Sequence, residues 1–369
     1  MTPSAADPTS PPSSPRVATR GAAYAVRRGG GIDGIGRIER EVAPPRGKDV
    51  LVRIGAVALN HRDLMFADGR SGTGGPPTVL ASDAAGTVLA VGPDVTSLAV
   101  GDRVVSSFFP DWLSGPATDS GIARALGGTV DGVLAEQVVL PEMAWVPAPG
   151  HLNDIEAATL SCAGVTAWHA LFGIEPLPPN STVALLGTGG VSIWALQLAK
   201  AAGYRVMITS SDDAKLLRAR ELGADVTLNY RSVPQWGTEL RRLNDGQGVD
   251  RVLDVGGPET ITESIAALRT GGTVAVIGRM SGASPARFNP ADLFLGSKRL
   301  VGLMVGSREM AVALARFVER ANLHPVVDQV FGFHQVQEAY RHLATARHLG
   351  KIVIDVGGDR GPGEAGRAP

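Results

Sequence analysis

A single cysteine, Cys162, occurs in 369 residues, which excludes an intrachain disulfide framework and any four-cysteine zinc site. One lone thiol fits a reducing compartment, and a cytoplasmic location is expected. No apolar run approaches the ~18 residues that a membrane-spanning helix needs. The first eighteen residues, MTPSAADPTSPPSSPRVA, lack the apolar centre of a signal peptide and, being rich in Pro and Ser, read as a disordered tail. Neither sign of charge dominates: 35 basic side chains stand against 36 acidic ones, a formal charge of −1. That balance gives no electrostatic reason to expect nucleic acid or an anionic membrane as partner. The chain also lacks a Ser–His–Asp order or a paired-carboxylate motif, so nothing points to hydrolysis.

Apolar residues make up 44% of the chain, ample for packed cores, and the length suits about two domains. Between residues 20 and 148, short apolar runs (50–54, 86–91, 103–106, 135–140) alternate with Gly, Pro and Asp, the pattern of a mainly β domain. From about Asn153 the period changes. A helix is expected over 159–172, then strands at 182–186, 205–209, 226–228, 251–255, 273–277 and 300–305, alternating with helices that include 213–222 and 259–268. Gly271-Gly272 reads as the stop signal of the latter helix. Six such alternations predict an α/β fold with a doubly wound parallel sheet. After Ser307 come a long helix, a β-like run at 326–333, a helix at 335–346 and a strand at 351–356, a segment long enough to return to the first domain. The expected division is a tail at 1–18, a first domain at 19–156 and 307–356, a second at 157–306, and a loose end at 357–369.

The sharpest chemical signal is LLGTGGVSIWALQLAK, with Gly187, Gly189, Gly190 and Val191 between an apolar strand and a helix. A glycine turn here aims free helix N–H groups and the positive helix end at a pyrophosphate. Ser192 stands where a third glycine is usual. About 20 residues on, where an NAD site places a carboxylate, stand Ser210 and Ser211, with Lys215 and Arg231 near in sequence. Hydroxyls and cations favour a 2′-phosphate, hence NADP(H) over NAD(H). Asp212 and Asp213 argue the other way, and the serines with Asp212 also suit a helix cap.

The segments ALNHRDLMFADG, SDAAGTVLAVGPDVTSLAVGDRV, AATLSCAGVTAWHALF, GTGGVSIWALQLAKAAG, ELGAD, NYR, DVGGPETITESIAALRTGGTVAVIG and HLGKIVI occur in this order. In these, residues 20–356 resemble the medium-chain dehydrogenase/reductase superfamily, in its zinc-free, quinone-oxidoreductase-like branch, whose members are broadly described as zinc-type alcohol dehydrogenase-like proteins. The resemblance implies a GroES-like β domain, split in sequence, beside a Rossmann domain, and a dimer or tetramer, here a homodimer. It implies cofactor contacts at Thr166, Gly187, Gly189, Gly190, Val191, Ser210, Ser211, Lys215, Tyr230, Ile277, Gly278, Met304 and Val305. It also suggests that Lys351 touches a phosphate, the bland alternative being a solvated lysine.

Where zinc-using members carry a Cys, a His followed by Glu, and a second Cys, this chain has Asn60, Ser82 followed by Asp83, and Cys162. Catalytic zinc needs about three protein ligands, so no metal is expected. His61, Asp63 and Cys162 form the one unusual alternative set. Without a metal, hydrogen-bond donors must stabilise charge on the substrate oxygen, and Asn60, His61 and Asp63 are the catalytic candidates. Asp63 equally suits a helix cap. The expected function is zinc-independent, NADP(H)-dependent reduction of a small quinone, enone or other carbonyl compound. A zinc-free alcohol dehydrogenase, or a dinucleotide-binding protein without redox turnover, is the alternative.

Overall fold

The computed structural model describes residues 18–282 and 284–358, so the expected tails lie almost wholly outside the described residues. Six strands form one parallel sheet in the spatial order Val226–Asn229, Arg205–Ser210, Thr182–Leu186, Val249–Asp254, Leu268–Val276, Arg299–Gly302. Numbered along the chain from Thr182, that order is 3-2-1-4-5-6, and it reverses beside Thr182–Leu186. Ligands of doubly wound sheets bind at this reversal, beyond the carboxyl ends of the strands. The strand Thr182–Leu186 is buried throughout because helices cover both faces. Val183 and Leu185 pack with Ile193 and Trp194 on one side, Ala184 and Leu186 with Trp236 and Ile261 on the other.

Gly271 and Gly272 do not stop a helix. The helix Ile261–Ala267 has already ended, and both glycines lie inside the strand Leu268–Val276. A register shift between Val249 and Arg251 on the partner strand leaves them in a bulge, where Gly271 takes φ +73°.

The remaining strands build a seven-stranded sheet and a three-stranded one. In the latter, Gly74–Val79 is an edge strand beside Thr19–Arg28, and only an edge tolerates its two prolines. The C-terminal segment enters the larger sheet. Lys351–Asp355 pairs parallel with Val327–Gly332 and antiparallel with Asp49–Leu59, setting Ile352 opposite Leu59. That register carries Lys351 to the point where the chain leaves the strand at Asn60. Residues 160–173 are helical, with two wide π turns, and pack in one cluster with side chains of both large sheets. Ser307 caps the helix Arg308–Arg320 by accepting the Met310 N–H at 3.3 Å. No helix among the described residues is long and apolar enough to cross a membrane.

Candidate functional site

The turn between Leu186 and the helix Gly190–Ala201 is built from what its glycines omit. Gly187 has φ +72°, a conformation that side chains disfavour. A Cβ on Gly189 would meet nothing within 4 Å, so the backbone there faces open space. A Cβ on Gly190 would fall 2.7 Å from Cδ of Lys351, whose stem crosses the turn. Ser192 substitutes for a third glycine by being buried and donating its hydroxyl to the Leu186 carbonyl at 2.7 Å.

A cavity of 560 Å³ opens from this turn, and every residue expected to touch the cofactor lines it. Ser210, Ser211, Lys215 and Tyr230 gather at the end of the strand Arg205–Ser210, while Thr166, Ile277, Gly278, Met304 and Val305 lie along the rest of the wall with Asn60 and His61. The two carboxylates that argued against a 2′-phosphate are engaged elsewhere. Asp212 caps its helix by accepting the Lys215 N–H at 3.1 Å, and Asp213 accepts from Asn229 Nδ2 at 2.8 Å. Lys215 Nζ donates to the Ala346 carbonyl at 3.0 Å, and burial lowers its pKa. These groups form a cradle with exposed backbone, hydroxyls and a cation, which fits a dinucleotide.

Sequence reasoning missed several wall residues. Met65, Arg279, Met280 and His348 also line the cavity and carried no signal in the sequence. His348 Nδ1 is buried without a partner among the described residues, and its pKa falls to about 4, through burial first and then the nearby Lys351 and Lys215.

At this wall lies a polar cluster drawn from distant parts of the chain. Lys351 is neither solvated nor spread along the surface: it is 3% exposed. Its ammonium donates to the Leu59 carbonyl and to Asn60 Oδ1 at 2.6 Å, and stands 4.0 Å from Asp83 Oδ2. Asp83 in turn accepts from the Ser82 hydroxyl at 2.6 Å and the Cys162 N–H at 3.0 Å. Because Oδ1 of Asn60 is held by Lys351, its Nδ2 is left buried with no partner among the described residues, on a side chain that lines the cavity.

Asp63, expected among the catalytic candidates, does not join them at the wall. It is fully buried at the third position of the helix His61–Ala67, where its carboxylate accepts the Asn60 N–H at 2.8 Å. Burial raises its pKa to about 6, against the pull of Arg62. Its task is to hold the turn that presents Asn60. His61 does reach the cavity; burial and then Arg70 lower its pKa, so its imidazole is neutral at pH 7. Arg62 stacks 4.8 Å above the Phe108 ring and donates to the Leu126 carbonyl at 2.6 Å.

A zinc ion does not fit these donors. Asn60 Oδ1 is taken by an ammonium, and both Asp83 oxygens already accept hydrogen bonds. Burial, and next the Asp83 charge, raise the Cys162 thiol well above its ordinary pKa, so it stays protonated. The alternative set of His61, Asp63 and Cys162 is not assembled: the described residues contain no group of three His, Cys, Asp or Glu placed to hold a metal ion.

Residues 46–150 match the alcohol dehydrogenase GroES-like domain family and residues 190–320 the zinc-binding dehydrogenase family. A zinc-type alcohol dehydrogenase-like protein of Schizosaccharomyces pombe is 42% identical over 316 residues, 84% of this chain and 91% of that protein. A crystal structure of an NAD-dependent alcohol dehydrogenase is similar at TM-score 0.83 and 35% identity, covering 91% of this chain and 100% of that one. A mycobacterial protein complexed with NADPH is similar at TM-score 0.75 and 27% identity, covering 91% and 100%. The chain therefore belongs to the medium-chain dehydrogenase/reductase superfamily and is an NAD(P)-dependent oxidoreductase of that type, with a GroES-like domain and a Rossmann domain.

Proposed function

We propose that this oxidoreductase uses NADP(H), without a metal ion, to reduce a quinone, enone or other small carbonyl compound. The observation that carries this reading is the unpartnered Nδ2 of Asn60, buried at the wall of the cleft. A buried donor left unpaired costs roughly 1–3 kcal/mol, and a substrate oxygen in the cleft removes that cost. The donation strengthens as negative charge grows on that oxygen, which favours the transition state over the ground state.

When bound, the reduced nicotinamide supplies the hydride. The chain's own part is to cradle the diphosphate at the turn 187–191, and to wall the reacting end with Thr166, Ile277, Gly278, Met304 and Val305. Asn60 orients the substrate oxygen. His61, neutral at pH 7, offers a hydrogen bond, and the proton that completes the reduction comes from water. Ser210, Ser211, Lys215 and Tyr230 support NADP(H), since the nearby Asp212 and Asp213 are occupied by the helix cap and by Asn229.

Steady-state assays with NADPH and NADH over a panel of quinones, enones and aldehydes test the reading, run alongside Asn60→Ala. NADPH should be preferred, and Asn60→Ala should lower kcat by about 10²-fold, the loss seen for one oxyanion donor. Equal use of both nucleotides would overturn the cofactor assignment, and an unaltered kcat the role of Asn60.

A further inference from the structure

The polar cluster at the cleft wall poses a question that the cofactor site does not answer: what a nearly buried lysine does there. Lys351 is 3% exposed, and the ordinary reason for a basic side chain beside a glycine turn, a phosphate contact, does not match where its ammonium is. Its stem passes Gly190, and its Nζ bonds to the Leu59 carbonyl and to Asn60 Oδ1 at 2.6 Å, with Asp83 Oδ2 at 4.0 Å. Three features converge on this arrangement. Gly190 provides the passage, since any Cβ there would collide with the Lys351 stem. The helix N-terminus at Asn60 is held from below by Asp63, so the amide cannot drift. Asp83, fixed by Ser82 and Cys162, supplies the countercharge.

We infer that Lys351 is a positioning residue for the hydride-transfer site: an internal cation that locks the Asn60 amide with its N–H2 toward the substrate oxygen. The amide group has two ends that exchange by a half-turn. A strong donor on Oδ1 selects one of them, because the reversed amide would set its N–H2 against the ammonium. The same bond draws electron density from the amide, which makes its N–H2 a better donor. Lys351 therefore does, through Asn60, part of what a metal cation does in direct contact with an oxygen. The inference rests on the proposed role of Asn60 as the donor.

The test uses the full-length protein with Lys351→Met, Lys351→Arg, Asn60→Ala and the double variant Lys351→Met/Asn60→Ala. NADPH binding is followed by fluorescence titration, turnover by NADPH oxidation with 9,10-phenanthrenequinone, and unfolding of the nucleotide-free protein by thermal melts. Lys351→Met should leave the NADPH Kd within about threefold while kcat drops by at least tenfold. The double variant should turn over no more slowly than Asn60→Ala, and the melting shifts of the two single changes should be non-additive. Lys351→Arg should recover part of kcat. A Kd raised thirtyfold or more with kcat retained would make Lys351 a phosphate ligand and overturn the inference, as would additive effects in both turnover and melting. Should Lys351→Met fail to fold, Asn60→Asp decides: a carboxylate facing the ammonium should keep the melting temperature while removing the donor. A melting temperature lowered as far as in Asn60→Ala would contradict the contact. If the wild-type protein does not reduce the quinone, the proposed function is what fails; the NADPH Kd and the melting shifts still test Lys351.

Discussion

An alanine at position 189 adds one methyl group where the fold has open space. Gly189 has φ −79° and ψ −173°, extended backbone that any residue adopts, and no atom lies within 4 Å of the added Cβ. Under the proposed function, the methyl projects instead into room the diphosphate needs. Gly189→Ala should melt within about 3 °C of wild type yet raise the NADPH Kd at least tenfold. Unchanged affinity in fluorescence titration would place the diphosphate elsewhere. Two titrating residues make a second prediction of opposite slopes. Asp63 has its pKa raised from 3.8 to about 6, so its contribution to stability is full below pH 3.8 and is lost as pH rises through 6. His348 has its pKa lowered from 6.5 to about 4, so its contribution is full above 6.5 and is lost as pH falls through 4. Between pH 4 and 6 the two oppose each other. Asp63→Asn should make stability rise with pH across that window, and His348→Asn should make it fall, each relative to wild type by up to about 1.4 kcal/mol per pH unit. Urea unfolding at pH 4.5, 5.5 and 6.5 reads this directly; parallel profiles in all three proteins would contradict it.

At the scale of elements, the helical stretch 160–173 depends on a side chain from the neighbouring sheet. Arg251, fully buried in the strand Val249–Asp254, donates to the carbonyls of Ala170 at 3.1 Å, Leu171 at 2.9 Å and Glu175 at 3.3 Å. These are carbonyls that the end of a helix leaves unpaired. Arg251→Met keeps the volume but removes the donors, and should cost about 3 kcal/mol or more in denaturant unfolding. A loss below about 1 kcal/mol would show that water satisfies those carbonyls instead. The alternating strands were legible because parallel strands buried on both faces read as continuous apolar runs, and the glycine turn after Leu186 because its glycines have a local cause. Gly271-Gly272 misled because glycines that end helices also fill bulges. The edge strand Gly74–Val79 was hidden by its prolines. Lys351 was out of reach of any local pattern: what it bonds to is set by the antiparallel register of Ile352 on Leu59, between segments at opposite ends of the chain.

At the scale of the molecule, the C-terminal segment crosses back to the β sheet and brings Lys351 and His348 to the wall of a cleft that begins in the nucleotide sheet. Gly350 ties the two by donating its N–H to the Thr188 carbonyl at 3.0 Å. The wall residues at Asn60 and Lys351 thus keep a fixed place relative to the glycine turn, which a hydride transfer over a short distance requires. Deuteride transfer from C4-deuterated NADPH to an enone, by protein stripped of metal with a chelator and checked for zinc by elemental analysis, tests the central claim most directly. Transfer should proceed at the untreated rate with far less than one zinc per chain. A rate that vanishes on stripping and returns with one equivalent of zinc would contradict it.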